Sequence, residues 1–267
     1  MPTTGHHWLP FTQMSAHDGE LRNFVRGDGT QLFDAQGHRL FDAVSSIWTT
    51  IHGHCHPRIV EAIAGQARIL DHATTLGASN PVADALAARL CGLTRLDHAI
   101  FASDGASAVE TAIKIALQYW QNLGQPQRTR IVRLQHSYHG DTAAAMSCSN
   151  IPLFNERFAA ITFETLEFGS VDLTREDIAA VIVEPLIQAA AGMHIFARAR
   201  YQALLGITPL LICDEIATGF GRTGTMFAFE QAPIHPDILC LGKGLTGGAL
   251  ALSATLASER VFEAFLG

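Results

Sequence analysis

Short apolar runs alternate along this chain with longer segments of helical periodicity. Continuously apolar runs bounded by turn or charged residues are typical of strands buried on both faces of a sheet. Segments with apolar residues three and four positions apart predict helices that pack on such a sheet. The runs span residues 98–102, 130–134, 180–184, 210–213, 238–241 and 250–256, and the helical segments span 57–70, 81–93 and the stretch up to Trp120. This order predicts an α/β fold with a mostly parallel sheet between helix layers.

Three other segments have weaker patterns. Residues 24–43 alternate short apolar stretches with Asp-Gly and Gln-Gly turns, which predicts a small antiparallel meander. We expect one edge strand near residues 160–163 and a helix of two to three turns between residues 193 and 210. The domain boundary is expected after residue 57, so that 1–57 belong to a small α+β region and 58–267 to a large domain.

Composition and charge exclude several classes of function. The 267 residues are 48% apolar and 16% charged, as in globular proteins, and the net charge of −7 without a basic run argues against nucleic acid as the partner. No apolar stretch approaches membrane-spanning length, and no opening segment resembles a signal peptide. Five cysteines without a CxxC pair favour a reduced, cytoplasmic setting. The sequence therefore indicates a soluble, intracellular protein.

Histidines are numerous but do not predict a metal site. His52, His54 and His56 have a spacing that suggests zinc. No cysteine or carboxylate completes a tetrahedral set at a usual distance along the chain. No metal is therefore expected.

Two apolar runs each end in a reactive group. Asp214 follows the run 210–213, and Lys243 follows the run 238–241 and stands between two glycines. Open α/β sheets place their sites at such strand ends. A partly desolvated lysine forms Schiff bases, and a buried aspartate suits a protonated pyridine nitrogen, so the pair suggests pyridoxal phosphate. A turn acid and a solvated loop lysine are the alternative interpretation, with about equal weight on these two residues alone.

Two further segments contain residues suited to ligand binding. The strand 98–102 is followed by a glycine turn and a strong helix, an arrangement in which backbone amides bind a phosphate. On spacing alone, a plain N-cap at Ser103 or Asp104 is favoured over a phosphate site. Tyr138 follows the strand 130–134, where its ring could stack on a flat heterocycle or lie on the surface of a loop.

The strings DEIATGFGRTG, PDILCLGKGLTGG and LSATL resemble the class-III pyridoxal-phosphate transaminases of fold type I, and the resemblance covers most of residues 8–260. It implies that Asp214 pairs with the pyridine nitrogen and that Lys243 carries the cofactor and transfers a proton. The turn Asp104, Gly105 and Ala106 would bind the phosphate. Tyr138, in SYHGDT, would stack on the ring and contact substrate.

Within that family the chain looks most like the transaminases of biotin synthesis. That resemblance implies S-adenosylmethionine as amino donor, 8-amino-7-oxononanoate as acceptor and a homodimer as the assembly. The strings WLPFTQM and SSIWTTIHGHCHP match family segments that border the substrate, which implies substrate contacts by Phe11, Ile47 and Trp48. Another ω-amino acid transaminase, or a cofactor-binding remnant without turnover, is the alternative.

Several departures from the family pattern bear on these roles. Phe11 stands where tyrosine is frequent, Ile47 where a tryptophan is usual, and Ala106 where serine is common. The connection between residues 193 and 210 is shorter than in the family. Family members also continue beyond the residue that matches Gly267, so we expect an incomplete large domain without the later turn and arginine that bind phosphate and substrate carboxylate.

Overall fold

The computed structural model describes residues 6–16 and 22–267. Its internal contacts divide the chain into two units, Met1–Asp71 and His72–Gly267, which are described separately below. The sequence placed the boundary after residue 57, whereas the contacts assign the following helix to the first unit. Among the described residues, no helix is long and apolar enough to cross a membrane.

The first unit contains an antiparallel meander of three strands, as the turn pattern predicts. These are β1 (Phe24–Asp28), β2 (Gln31–Asp34) and β3 (Arg39–Phe41). Each strand pairs with the next in antiparallel register. Further along, α2 (Pro57–Ala67) begins at a proline, whose fixed φ suits the first helical turn.

Between the meander and α2 lies α1 (Ser45–Trp48), a single turn with an unusual backbone. All four of its residues have positive φ, between 47° and 66°. For an L-amino acid, this left-handed conformation is less favourable than the right-handed one by roughly 1–2 kcal/mol per residue. The sequence pattern did not predict this turn, because none of its residues is glycine.

The second unit is built on a seven-stranded sheet in the order β4-β12-β11-β10-β7-β5-β6. All of its strands run parallel except β12, which is antiparallel to both neighbours. A separate two-stranded pair is formed by β8 and β9. The strands are β4 (His98–Ala102), β5 (Arg130–Arg133), β6 (Leu166–Glu167), β7 (Ile178–Val183), β8 (Ile187–Gln188), β9 (His194–Ile195), β10 (Leu210–Asp214), β11 (Ile238–Leu241) and β12 (Ser253–Ala257).

Helices cover this sheet and connect its strands. The α-helices are α3 (Pro81–Thr94), α4 (Gly105–Asn122), α5 (Ala143–Ser147), α6 (Pro152–Asn155) and α7 (Glu259–Glu263). The 3-10 helices of the described chain are Met14–Ala16, Glu156–Ile161, Arg198–Leu204, Ala228–Gln231 and Lys243–Thr246.

Of three expected elements, two differ from the structure and one is present. Residues near 160 form a 3-10 helix, and the edge strand lies at Leu166–Glu167, because Ser147 holds this connection through the amide of Phe163 and the hydroxyl of Thr165. The helix of two to three turns expected between residues 193 and 210 is present as the seven-residue 3-10 helix Arg198–Leu204, and a short strand precedes it. The last strand begins at Ser253, since a turn closed by Thr246 and Leu250 precedes it.

Alternation along the strands explains why the runs are apolar throughout. On β7, Ala180 and Ile182 pack with α4, whereas Val181 and Val183 pack on the opposite face. That opposite face is covered by α3 and by the 3-10 helices Arg198–Leu204 and Ala228–Gln231. Both faces of the sheet are therefore buried, and the predicted α/β architecture is confirmed.

Candidate active site

The polar residues singled out in the sequence of the second unit lie at one edge of its sheet. Because β4, β5, β7, β10 and β11 are parallel, their carboxyl ends face the same way. Asp214 ends β10 and pairs in register with Cys240 of β11, so that Lys243 follows only three residues beyond the pairing partner. Tyr138 and the start of α4 follow β5 and β4 at the same edge.

Asp214 is buried and doubly hydrogen-bonded. Its Oδ2 lies 2.7 Å from Nδ1 of His139, and its Oδ1 accepts the backbone amide of Ile216 at 3.0 Å. A carboxylate can only accept, so Nδ1 of His139 carries the proton. The position of Asp214 is thus set by its strand and its orientation by two donors.

His139 is a residue of the candidate site that the sequence did not single out. Its side chain is fully buried, and its amide donates to Oγ of Ser149 at 2.9 Å. Its Nε2 atom is buried and has no hydrogen-bond partner among the described residues. Its position directly after Tyr138 is the sequence feature that could have suggested it as a site residue. No sequence pattern shows which carboxylate its ring contacts.

Lys243 begins a 3-10 helix with φ at +38° and is half-buried. Burial lowers the pKa of its amine, and the charge of Arg222 lowers the pKa further, while Asp214 and Glu184 oppose the shift. A lowered pKa increases the fraction of neutral, nucleophilic amine at a given pH. The only other lysine of the chain is Lys114, which is exposed on α4.

Two buried glutamates lie near Asp214. Glu184 follows the neighbouring strand β7, and Glu215 is the next residue along the chain. Glu184 accepts the amide of Tyr138 at 3.0 Å, and burial, together with the charge of Asp214, raises its pKa to about 7. Glu215 accepts the Thr218 hydroxyl at 2.7 Å and two further backbone amides, and burial raises its pKa to about 7 as well. Both glutamates therefore hold loops at the edge of the sheet.

Tyr138 is half-buried at the same edge. Its hydroxyl donates to Oδ2 of Asp141 at 2.8 Å, and its ring meets Phe154 edge-on with centroids 5.8 Å apart. Burial, followed by the contact with Asp141, raises the pKa of the phenol far above its usual value. The side chain is thus a neutral aromatic group with its hydroxyl already engaged.

The start of α4 has features of both an N-cap and a phosphate site, the two interpretations that its sequence allows. Asp104 caps the helix, because its carboxylate accepts the amide and the hydroxyl of Ser107 at 3.0 and 2.8 Å. The preceding amides, those of Gly105 and Ala106, belong to the first turn, where no intrahelical acceptor exists. An N-cap is therefore present, and two amides beside it have the character of an anion site.

Glycines allow this helix start to approach its neighbours closely. A Cβ added to Gly105 would lie 2.9 Å from the side chain of Ile216. A Cβ added to Gly140 would lie 2.5 Å from that of Ala106, and Gly140 also has a φ of +122°. The segments after β4, β5 and β10 are therefore in direct contact around the candidate site.

Comparisons with known proteins agree with this geometry. The model of the family "Aminotransferase class-III" matches residues 13–164 and 153–267, which together span nearly the whole chain. The chain belongs to the class-III aminotransferase family. Its fold is the α/β transferase fold that the sequence predicts.

Two sequence relatives are adenosylmethionine-8-amino-7-oxononanoate aminotransferases. The protein of Aquifex aeolicus is 42% identical over 97% of this chain and 65% of its own length. The protein of Synechococcus elongatus is 43% identical over 99% of this chain and 69% of its own length. This class-III chain thus spans about two thirds of the length of the relatives it matches.

Two solved structures show how far the backbone agrees. The adenosylmethionine-8-amino-7-oxononanoate aminotransferase of Methanocaldococcus jannaschii has a TM-score of 0.91 at 37% identity, covering 99% of this chain and 66% of that one. An amine transaminase of an uncultivated Pseudomonas species, solved in its PLP-bound form, has a TM-score of 0.90 at 31% identity, with coverages of 97% and 66%.

The remaining predicted site residues of this aminotransferase chain lie in its first unit. Phe11 and Ile47 are 80% and 64% exposed, and Trp48 is half-buried in α1. Of the three histidines considered for zinc, His52 contacts His56 edge-on, whereas His54 bonds Asp42. Among the described residues, no group of three or more potential ligands is arranged for a metal ion.

Proposed function

We propose that this chain contains the cofactor site of a pyridoxal-phosphate-dependent aminotransferase. The observation that carries the proposal is the pair formed by buried Asp214 and half-buried Lys243 at the ends of neighbouring parallel strands. Membership of the class-III family and likeness to a PLP-bound transaminase support the choice of cofactor.

The residues at this edge fit the chemical groups of pyridoxal phosphate. Lys243 would bind the aldehyde carbon through Nζ, and Asp214 would accept the proton of the pyridine nitrogen. The amides of Gly105 and Ala106 would bind the phosphate, since both lie in the first turn of α4. Tyr138 would contact the flat face of the ring. Groups suited to the aldehyde, the pyridine nitrogen, the ring face and part of the phosphate are therefore found on this chain.

Each residue would then have a distinct task. When bound, the cofactor supplies an electron sink for bond cleavage at the amine carbon. Lys243, with its lowered pKa, accepts and returns the α-proton at Nζ. Asp214 keeps the pyridine nitrogen protonated through a charge-assisted hydrogen bond of about 1.5–3 kcal/mol. His139 holds the Asp214 carboxylate in place and itself stays in one tautomer.

The relatives supply the substrate proposal. S-adenosylmethionine would be the amino donor and 8-amino-7-oxononanoate the acceptor, as the names of the relatives state for those proteins. Phe11, Ile47, Trp48 and Tyr138 would contact substrate, on the strength of the sequence resemblance. A homodimer in the cytoplasm completes the proposal, and the five free cysteines support that compartment.

A second class-III activity has structural support. An (S)-enantioselective ω-transaminase of Thermomicrobium roseum has a TM-score of 0.89 at 33% identity, covering 98% of this chain. Ile47 in place of a usual tryptophan would also leave more room for a different amine. Transfer from simple amines or ω-amino acids is therefore the second candidate.

The small number of lysines gives a direct test of the cofactor site. Pyridoxal phosphate would be added to the chain, reduced with borohydride and located by peptide mass spectrometry. We expect the pyridoxyl group on Lys243 and a protein-bound visible absorption band that remains after free cofactor is removed. Both should be absent in Lys243→Ala and retained in the matched Lys114→Ala control. Labelling of Lys114 or of the N-terminus alone would contradict the proposal.

The same preparation can separate the two activities. The visible band would be followed after addition of S-adenosylmethionine or of a simple ω-amino acid. Bleaching by S-adenosylmethionine alone favours the biotin-type transaminase, and bleaching by the ω-amino acid alone favours the second candidate. A chain that is labelled at Lys243 but bleached by neither donor would have cofactor binding without turnover.

A further inference from the structure

The first unit contains a hydrogen-bonded pair, Asp42 and His54, on either side of the left-handed turn α1. We propose that this pair is a positioning device: it holds α1 in its left-handed form and so presents Ile47 and Trp48 for substrate recognition. The recognition part of this inference rests on the proposed function. Neither Asp42 nor His54 was singled out from the sequence as a contributor to substrate contact.

The turn needs support from outside its own backbone. Ser45, Ser46, Ile47 and Trp48 have φ values of 48°, 47°, 57° and 66°, so the unfavourable free energy adds up over four consecutive residues. The turn itself contributes hydrogen bonds from the amides of Trp48 and Thr49 to Val44 and Ser45. A right-handed turn would form equivalent bonds without the strain, so these bonds do not explain the observed hand.

Asp42 supplies hydrogen bonds to the turn from outside its four residues. Its carboxylate accepts the amide of Ser46 at 3.1 Å, the hydroxyl of Ser46 at 2.9 Å and Nε2 of His54 at 2.8 Å. Burial alone would raise the pKa of Asp42, but these hydrogen bonds from Ser46 and His54 outweigh it and lower the pKa. The carboxylate is therefore charged and accepts donors from both sides of the turn.

His54 is fixed to the meander independently of Asp42. Its amide donates to the carbonyl of Gly29 at 2.7 Å, and its carbonyl accepts the Gly29 amide at 3.2 Å. A Cβ added to Gly27 would lie 2.7 Å from Cβ of His54, so glycine at that position makes room for the histidine. The amide of Asp42 also donates to Thr30 at 2.9 Å. Both partners of the pair are thus anchored to the turn between β1 and β2.

The turn carries Ile47 and Trp48, the two residues for which the sequence resemblance implies substrate contact. Ile47 is 64% exposed although it is apolar, and Trp48 is half-buried beside it. If the turn relaxed to an ordinary conformation, both side chains would change direction. The Asp42–His54 pair would therefore act on substrate recognition through backbone geometry and not through contact.

Hydrogen exchange tests the backbone part without any assay of activity. In His54→Ala, we expect the amides of Trp48, Thr49 and Thr50 to exchange at least about tenfold faster, since the bond that supports the turn is lost. His54→Gln retains an N–H donor and should restore slow exchange at least in part. His38→Ala is the matched control, because His38 forms a similar 3.0 Å bond to Asp34 in the same unit but lies away from α1.

Kinetics on the full chain tests the recognition part. For His54→Ala we expect KM for the amino donor to rise about tenfold, kcat to change less than threefold, and labelling of Lys243 to stay at the wild-type level. Unchanged exchange in residues 44–52 of His54→Ala would overturn the positioning role. Faster exchange with an unchanged KM would overturn the link to recognition. If the wild-type chain showed no labelling at Lys243, the proposed function would fail, while the exchange result would still decide the backbone part.

Discussion

Two of the aspartate–histidine pairs in the described chain have nearly the same length and lie in different units. His139 and Asp214 are 2.7 Å apart, with side chains 0% and 5% exposed, whereas His54 and Asp42 are 2.8 Å apart, with side chains 17% and 7% exposed. Asp214 ends a strand that is paired on both sides, and its own backbone pairs with Cys240 of β11. Asp42 follows a three-residue strand and adjoins a turn with an unfavourable backbone.

The difference shows what the same hydrogen bond does in two settings. Where a sheet already fixes the backbone, the histidine can only influence the charge and orientation of the carboxylate. Where the backbone is strained, the same pair helps to decide the backbone conformation. We therefore expect loss of His139 to act mainly on stability and chemistry, and loss of His54 mainly on local geometry.

Among the histidine substitutions, the largest expected effect comes from removing the buried partner. In His139→Ala the Asp214 carboxylate remains buried with one hydrogen-bond donor fewer, and losing a hydrogen bond to a buried charged group costs about 1.5–3 kcal/mol. His54→Ala, at a partly exposed pair, should cost about 1 kcal/mol or less. Urea unfolding followed by circular dichroism would measure both free energies.

The Gln variants at both positions serve as controls, since glutamine can donate to either aspartate. A His139→Ala variant as stable as His54→Ala would contradict the comparison. It would show that the sheet accommodates a lone carboxylate at Asp214.

The pH dependence of stability should have opposite signs in the two regions. Glu184 and Glu215 have folded pKa values of about 7, above their ordinary 4.5, so the folded state holds extra protons between these values. The free energy of unfolding of the second unit should therefore fall by about 2–3 kcal/mol per glutamate as pH rises from 5 to 8. The pKa of Asp42 is lowered, so its contribution is present above pH 4 and is lost only in more acidic solution.

Substitutions can assign this pH dependence. Glu184→Gln should flatten the curve between pH 5 and 8, whereas Glu263→Gln, at an exposed position of α7, should leave it unchanged. Urea unfolding at a series of pH values is the measurement. A wild-type stability that rises over this range would contradict the assignment of buried, protonated glutamates.

The smallest expected effect tests the strain in α1. Ser45→Gly removes the unfavourable left-handed conformation of roughly 1–2 kcal/mol but adds about 0.4–1 kcal/mol of unfolded-chain entropy. A net stabilisation of about 0.5 kcal/mol should appear as a slightly higher Tm. Ala67→Gly, at the exposed end of α2, is the control and should lower Tm. A lower Tm in Ser45→Gly would argue that the turn is not strained.

The sheet of the second unit was largely predictable from the sequence. The runs at 98–102 and 238–241 match β4 and β11 residue for residue. For β11 the reason is burial on both faces, which leaves an uninterrupted apolar pattern, whereas β4 is a partly exposed edge strand. The run at 250–256 was placed three residues early, since the apolar pattern continues through Leu250 although Thr246 closes a turn there. Strand ends next to a glycine-rich turn depend on hydrogen bonds that periodicity does not show.

The site was predictable only in part. Asp214 and Lys243 stood out because each is a polar residue at the end of an apolar run. The partnership of His139 with Asp214 joins residues 75 positions apart and depends on the order of β5, β7 and β10 in the sheet. The left-handed turn at Ser45–Trp48 was invisible, since it is stabilised by Asp42 and not by glycine.

Ile216 links three parts of the site through one side chain. Its amide binds Asp214, and its side chain fills the space that a Cβ on Gly105 or on Gly242 would occupy. A change of volume at this position would therefore displace the start of α4 and the residue preceding Lys243 together. Substitution at position 216 could therefore adjust the site: Ile216→Val or Ile216→Leu would alter the separation of the proposed phosphate-binding turn and Lys243 without replacing any residue proposed to touch the cofactor.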